Sequence, residues 1–145
     1  MAFRRRAFEK VGYFDERLDV GAAGCSGDSE YWYRLLAAGW TCRYEPSAVA
    51  FHFHRRDHEA LGRQIFAYMR GHTAALLVQF ERHGHLGNLR RILWTLPTCY
   101  ARKAVRLFWY GVDDTNCLLS QEVKGALAGI FYYLSTKWNF MGMWQ

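Results

Sequence analysis

Apolar residues recur three and four positions apart through the second half of the chain, which is the spacing of amphipathic helices. The predicted helices of this half cover residues 57–84, 86–94, 100–110 and 122–137. Pro97 falls between the second and the third, and because proline interrupts a helix, a hinge is expected there. Gly84 ends the first of them, as glycine commonly does at a helix C-terminus. The chain after residue 57 is therefore predicted to be helical.

The first 56 residues carry a mixed pattern, in which short helices alternate with short apolar runs. A helix over residues 4–11 is predicted to close at Gly12, and Asp28 or Ser29 is predicted to cap the N-terminus of the next helix. Three glycines within residues 19–27 indicate a loop that bends tightly. The predicted strands cover residues 1–3, 41–44 and 48–53. This part of the chain is therefore predicted to be α/β.

Length and composition predict a folded protein. The chain has 145 residues, of which 51% are hydrophobic and 22% are charged, and these are proportions typical of a globular core with a polar surface. The composition changes near residue 84. Residues 1–84 are predicted to form the mixed α/β domain, and residues 85–145 a basic, aromatic-rich helical extension.

Charge and cysteine content restrict the environment. A net charge of +6 attracts anions such as acidic lipid, nucleotide phosphate or nucleic acid. The four cysteines show no paired spacing, which favours a reducing, cytoplasmic setting over a disulfide or zinc framework. Glu9 and Lys10 stand where a signal peptide would be apolar, and no apolar run is long enough to span a bilayer. Any membrane contact is expected to be peripheral, at the cytoplasmic face of the inner membrane.

Three segments carry a recognisable order of residues. They are residues 11–16 (VGYFDE), 27–40 (GDSEYWYRLLAAGW) and 44–52 (YEPSAVAFH). In this order they resemble the second half of a family 2 glycosyltransferase of the GT-A fold. The resemblance covers residues 1–58 with specific motifs and the remainder only loosely. It implies the C-terminal portion of a GT-A α/β domain, which transfers a sugar from a nucleotide-sugar donor to a carbohydrate or lipid-linked acceptor.

Asp28 is the candidate catalytic residue. The family carries a Glu-Asp pair at this helix start, and counting back from Arg34 places Asp28 on the Asp and Gly27 on the Glu. By this resemblance Asp28 deprotonates the acceptor hydroxyl, and Glu30 matches a further acid that contacts substrate. A single general base suits one displacement that inverts the anomeric centre. The alternative is structural, because acidic residues in a first turn also stabilise the helix dipole.

The resemblance assigns three further residues. His52 matches a histidine that helps to bind the divalent cation, Mn²⁺ or Mg²⁺, which neutralises the donor diphosphate. Arg55 falls where basic residues lie near the diphosphate, and its planar guanidinium suits phosphate oxygens. Asp15 is expected close to the acceptor cleft. Two of these residues also have a structural alternative: His52 as a hydrogen-bonded histidine at a strand end, and Arg55 as a solvated surface charge.

A rival interpretation concerns residues 52–58 (HFHRRDH). This run approaches the His-x-His-x-Asp-His motif of metallo-β-lactamase-fold hydrolases, which bind two zinc ions. One extra residue separates His54 from Asp57, and metal sites tolerate little change in geometry. The glycosyltransferase interpretation is therefore preferred.

The extension suits a lipid surface. Its basic residues alternate with aromatic and aliphatic ones at helical spacing, as in helices that lie in a membrane interface. No nucleic-acid-binding signature accompanies them, and a helical bundle with solvated charges is the structural alternative. The basic residues are Arg90, Arg91, Arg102, Lys103 and Arg106.

The donor half of such a transferase has no counterpart in the sequence. No Asp-x-Asp pair is present to hold the metal, so residues 1–145 alone are expected to be an inactive fragment. The alternative function is a non-catalytic module that binds a membrane surface or a protein partner.

Overall fold

The computed structural model describes residues 2–51, 57–113 and 116–142, with side chains through residue 137. The described elements are α1 (Arg5–Val11), a 3₁₀ turn (Glu16–Leu18), α2 (Gly27–Ala37), α3 (His58–His83), α4 (Leu86–Arg90), a π-helical segment (Arg91–Thr95), α5 (Leu96–Tyr110) and α6 (Leu119–Gly142). None of the described residues lies in a β-strand.

The prediction of an α/β, GT-A domain is therefore wrong, since the described chain is all-helical. Residues 41–44 and 48–51, predicted as strands, form no ladder and run along the surface as irregular chain. Phe51 is 97% exposed, so this apolar run buries nothing. A strand satisfies its backbone groups only against a neighbouring strand, and no described segment provides one. Residues 52 and 53, the end of the last predicted strand, lie outside the described residues.

The predicted long helix after residue 57 is confirmed as α3. Asp57 caps its N-terminus, and its carboxylate accepts hydrogen bonds from the amides of Glu59 and Ala60 at 3.0 Å each. Gly84 ends it in the left-handed conformation, with φ of 65°, and its amide donates to the Phe80 carbonyl. The 26 residues of α3 make it the longest described element, and the other long helix packs on it.

Helix α6 lies against α3 through two glycines. A Cβ added to Gly125 would overlap the Phe66 carbonyl and approach Met69 Cβ to 2.9 Å. A Cβ added to Gly129 would overlap the Arg70 carbonyl. Small residues four apart thus let the two backbones approach closely, and α6 joins the predicted extension to α3 of the predicted first domain. The main core lies along this contact, and its buried residues are Leu18, Ala23, Ala74, Ala75, Val78 and Tyr133.

A second, aromatic cluster joins α1 to α2. The Tyr31 ring is fully buried and stacks on Phe14 with ring centroids 4.4 Å apart. Phe3 meets the same ring edge to face at 5.0 Å, and Phe8 stacks at 5.4 Å. Such aromatic pairs add specific geometry to simple burial. The cluster therefore fixes α2, which carries the candidate base, to the start of the chain.

The break predicted at Pro97 between two helices is wrong, because Pro97 lies within α5 and a π-helical segment precedes it. Helices α4 and α5 are joined through residues 91–95 without a break, and the Leu96 amide donates to the Arg91 carbonyl five residues back. The Thr98 hydroxyl donates to the Trp94 carbonyl at 2.8 Å. Because proline has no N–H to donate, the wider turn before it accommodates the interrupted ladder. Among the described helices, none is long and apolar enough to cross a bilayer.

Candidate functional site

Asp28 lies in the first turn of α2 with its side chain exposed to solvent. Helix α2 begins at Gly27 and its N-cap residue is Ser26, two residues before Asp28, so the prediction that Asp28 or Ser29 caps this helix is wrong. Ser26 has φ of 96°, a left-handed conformation that is rare for a residue with a side chain. The Asp28 carboxylate accepts from the Ser29 amide at 2.7 Å through Oδ1, and no described residue bonds its Oδ2. This is an accessible proton acceptor on a fixed helix end.

The space beside Asp28 is taken by another acid. A Cβ added to Gly27 would lie 2.8 Å from Asp19 Oδ1, so the Asp19 carboxylate covers the position where the resembled family carries glutamate. Two carboxylates therefore lie near the start of α2, those of Asp19 in the loop over residues 19–27 and of Asp28 in the helix.

Asp15 and Glu30, the other predicted site acids, lie beneath the surface and are joined by one arginine. Arg82 Nη2 lies 2.7 Å from Asp15 Oδ2, and Arg82 Nη1 lies 2.6 Å from Glu30 Oε1. The Asp15 side chain is 5% exposed and the Glu30 side chain is fully buried. Arg82 comes from the last turn of α3, so the pair of contacts ties α3 to α2 and to the loop before it.

Arg34 extends this ion-pair network toward α1. Its Nε lies 2.9 Å from Glu30 Oε2, one helical turn away. The same guanidinium donates to the carbonyls of Val11 and Tyr13 at 2.6 Å each, and it lies 5.1 Å from the centre of the Tyr31 ring. One side chain thus satisfies the carbonyl of the last residue of α1, a carbonyl just after it, and one buried acid.

Arg17 completes the network on the other side. It pairs with Asp15 at 2.8 Å, and its own carbonyl accepts from the Tyr132 hydroxyl at 2.9 Å. Burial disfavours the charged form of Asp15, but the hydrogen bonds and charge of Arg17, with the charge of Arg82, outweigh it. The pKa of Asp15 is therefore below its ordinary value.

Acid should weaken the fold through Asp15. Its pKa is lower in the folded than in the unfolded chain, so its contribution to stability is complete above about pH 4. That contribution is lost as the pH falls from there through the folded-state pKa, because the unfolded chain binds the proton first. Urea unfolding at a series of pH values should show a shallower acid decline in the Asp15→Asn variant than in the wild type. An equally steep loss of stability with acid in both proteins would show that the arginines do not stabilise the charged form of Asp15.

A polar cluster at the other end of α2 was not predicted from the sequence. The Tyr33 hydroxyl bonds His85 Nδ1 and accepts from Asn88 Nδ2 at 3.3 Å. The His83 and His85 rings stack with centroids 5.6 Å apart. Burial lowers the pKa of His83, and the neighbouring His85 adds to the effect. These contacts fasten α2 to the junction between α3 and α4.

The predicted site residues therefore separate into three groups. Asp28 is accessible, Asp15 and Glu30 are engaged in buried ion pairs, and His52 and Arg55 lie outside the described residues. The carboxylates of Asp15 and Glu30 already have arginine partners. Their substrate-binding roles are not tested by the structure and stay predictions. Arg82 was missed because nothing in its local sequence distinguishes it from a surface arginine. The Glu30–Arg34 pair had a signal, namely an acid and an arginine four apart on one helix.

The described part of the chain offers no ready-made metal centre. No three histidine, cysteine or acidic side chains within it lie close enough together to hold an ion. The Asp28 carboxylate alone does not make a cation site, and the expected divalent cation stays a prediction that the described residues do not test. The predicted ligand, His52, is not among them.

No family model, curated protein or solved structure shows significant similarity to this chain.

Proposed function

We propose that this chain supplies the acceptor-side part of an inverting sugar transferase, with Asp28 as the general base. The observation that carries the proposal is the different placement of the three predicted site acids. Asp15 and Glu30 are buried in ion pairs, whereas Asp28 is exposed at the start of a helix that those ion pairs hold in position. The proposal rests on this placement and on the motif order, and it requires no sheet within the chain.

The reaction assigned to Asp28 is a single displacement. The acceptor oxygen attacks the anomeric carbon, the bond from that carbon to the nucleoside diphosphate breaks, and Asp28 takes the hydroxyl proton. Proton transfer to a positioned base contributes about 10²–10⁴-fold to such a rate. The ion-pair network contributes indirectly, because it fixes α2 against α3 and so holds the carboxylate at one place. Its residues are positioning residues.

Donor binding is assigned to no described residue. We propose that the nucleotide-sugar and a divalent cation, Mn²⁺ or Mg²⁺, are held elsewhere in the native enzyme, and that the acceptor is a glycan or a lipid-linked sugar. The proposed compartment is the cytoplasm, because all four cysteines are free thiols. Residues 1–145 alone are expected to show no turnover with any nucleotide-sugar.

Asp28→Asn is the test of the proposed base. In the longest native polypeptide that contains this chain, it should lower acceptor-dependent release of nucleoside diphosphate by about 100-fold or more. The amide keeps the size and the Ser29 hydrogen bond but cannot accept the proton. The measurement is nucleoside diphosphate release from a panel of nucleotide-sugars, with donor binding followed separately.

Glu59→Gln is the matched control. Glu59 is an exposed acid at the same position of the first turn of α3, so both variants lose one charge from a helix start. Glu59→Gln should leave the rate unchanged. Full activity in Asp28→Asn would remove Asp28 as the base and favour the non-catalytic alternative, a module that binds a membrane or a partner.

A further inference from the structure

Helix α5 exposes a continuous apolar strip. None of its residues is buried, and apolar side chains recur along it three and four positions apart. Phe108 is 81% exposed, and Trp94 in the preceding π-helical segment is 69% exposed. We call this surface the α5 strip; its exposed residues are Leu93, Trp94, Pro97, Ala101, Ala104, Val105, Phe108 and Trp109. A helix of this type in a folded protein normally buries such a face.

The rest of the protein covers the opposite side of α5. Lys103 Nζ lies 2.7 Å from both carboxylate oxygens of Glu122 in α6, and burial raises the pKa of the neighbouring Tyr100 to about 12. Leu96, Tyr100 and Lys103 are half-buried, and they recur three and four apart on the side of α5 that meets α6. The attachment to α6 therefore turns the α5 strip away from the rest of the described chain.

The segment that carries the strip is strongly basic. Residues 86–112 contain five lysines and arginines and no aspartate or glutamate. Lys103 and Arg106 have carboxylate partners, in Glu122 and Asp113. Among the described residues, no carboxylate pairs with the exposed Arg90, Arg91 or Arg102.

Arg102 and Arg106 also border the apolar strip. They follow Ala101 and Val105 by one position, which is about 100° around the helix. The surface thus combines exposed tryptophan and phenylalanine with two arginines along one edge, of which Arg102 has no carboxylate partner among the described residues.

We propose that the π-helical segment and α5 lie flat on an anionic lipid surface, with the α5 strip in the acyl boundary and the arginines at the headgroup phosphates. Anionic lipid matches both features at once, because it offers apolar chains and negative charge in one plane. Trp94 and Trp109, one toward each end of the strip, are the residues that membrane interfaces favour. A nucleic acid would satisfy the arginines but would leave the strip in water. The inference is independent of the proposed sugar transfer.

Vesicle binding by the full chain tests the proposal. Sedimentation with vesicles of equal parts phosphatidylcholine and phosphatidylglycerol should retain the protein, whereas vesicles of phosphatidylcholine alone should retain far less. Phe108→Ala should weaken partitioning about tenfold, since a phenyl ring no longer leaves water. Arg102→Gln should weaken it about fivefold at low salt, and added salt should shrink that difference.

Each variant has a control of the same chemistry. Phe51→Ala removes an equally exposed ring far along the chain from α5, and Arg63→Gln removes one exposed charge from α3. Both should bind vesicles as the wild type does. All four positions are exposed, so thermal unfolding should stay unchanged and separate a binding defect from misfolding.

Three results would overturn the proposal. The first is no retention by anionic vesicles, and the second is an equal loss in Arg63→Gln and Arg102→Gln, which would indicate only net charge. The third is self-association, measured by analytical ultracentrifugation, that Phe108→Ala abolishes while vesicle binding persists; the strip would then be a dimer surface. If the first result came with binding of a single-stranded oligonucleotide that Arg102→Gln weakens, the surface would be assigned to nucleic acid instead.

Discussion

Replacing Gly71 with alanine is expected to destabilise the protein by about 3 kcal/mol, although the same change in an open helix normally stabilises. A Cβ at Gly71 would overlap the Cys25 carbonyl oxygen and lie 2.7 Å from its carbonyl carbon. Both partners are backbone, so no side-chain rotation relieves the overlap. The loop over residues 19–27 would have to move away from α3.

The measurement is urea or thermal unfolding followed by circular dichroism. For a chain of this size the expected fall in Tm is on the order of 10 °C. Gly87→Ala is the matched control, because Gly87 is helical and nothing lies within 4 Å of an added Cβ. We expect Gly87→Ala to stabilise by about 0.5 kcal/mol. A neutral or stabilising effect of Gly71→Ala would mean that the loop does not rest on α3.

Replacing Arg82 with methionine is expected to have a similarly large effect, about 3 kcal/mol. Methionine keeps much of the apolar stem but removes the charge shared by Asp15 and Glu30, whose side chains are 5% and 0% exposed. Removing one partner of a buried ion pair leaves uncompensated charge, which typically costs about 3–5 kcal/mol. We take the lower end because Arg17 and Arg34 still pair with the two acids and the Arg82 side chain is 32% exposed.

Urea unfolding would measure this loss of stability. The dependence of the free energy of unfolding on urea concentration should be the same as in the wild type. Arg63→Met is the control, since Arg63 pairs with Glu59 at an exposed surface and such pairs contribute at most about 1 kcal/mol. Neutralising both acids, Asp15→Asn with Glu30→Gln, should recover part of the loss in the Arg82→Met background. A loss no larger than that of Arg63→Met would show that the acids do not depend on Arg82.

Only part of the candidate site could be predicted from the sequence. Asp28 could be picked out because an acid at a helix start is a local feature, and the structure places it there. The burial of Glu30, two residues later, was not visible, because it depends on Arg82, which is 52 residues away. The α5 strip had a helical pattern, yet its exposure depends on which of its faces meets α6.

Local sequence by itself determined where most of the helices lie and both ends of α3. Asp57 and Gly84 bound α3 through backbone hydrogen bonds that span only a few residues, and helical periodicity needs no distant partner. Tertiary structure decided what the predicted strands at 41–44 and 48–51 become, because a strand exists only when another strand accepts its hydrogen bonds. It also decided that Gly71, Gly125 and Gly129 are contact points and that Asp15 and Glu30 share one arginine. Burial and charge pairing depend on distances between residues far apart in sequence, and those distances are set by the packing of α2 and α6 on α3.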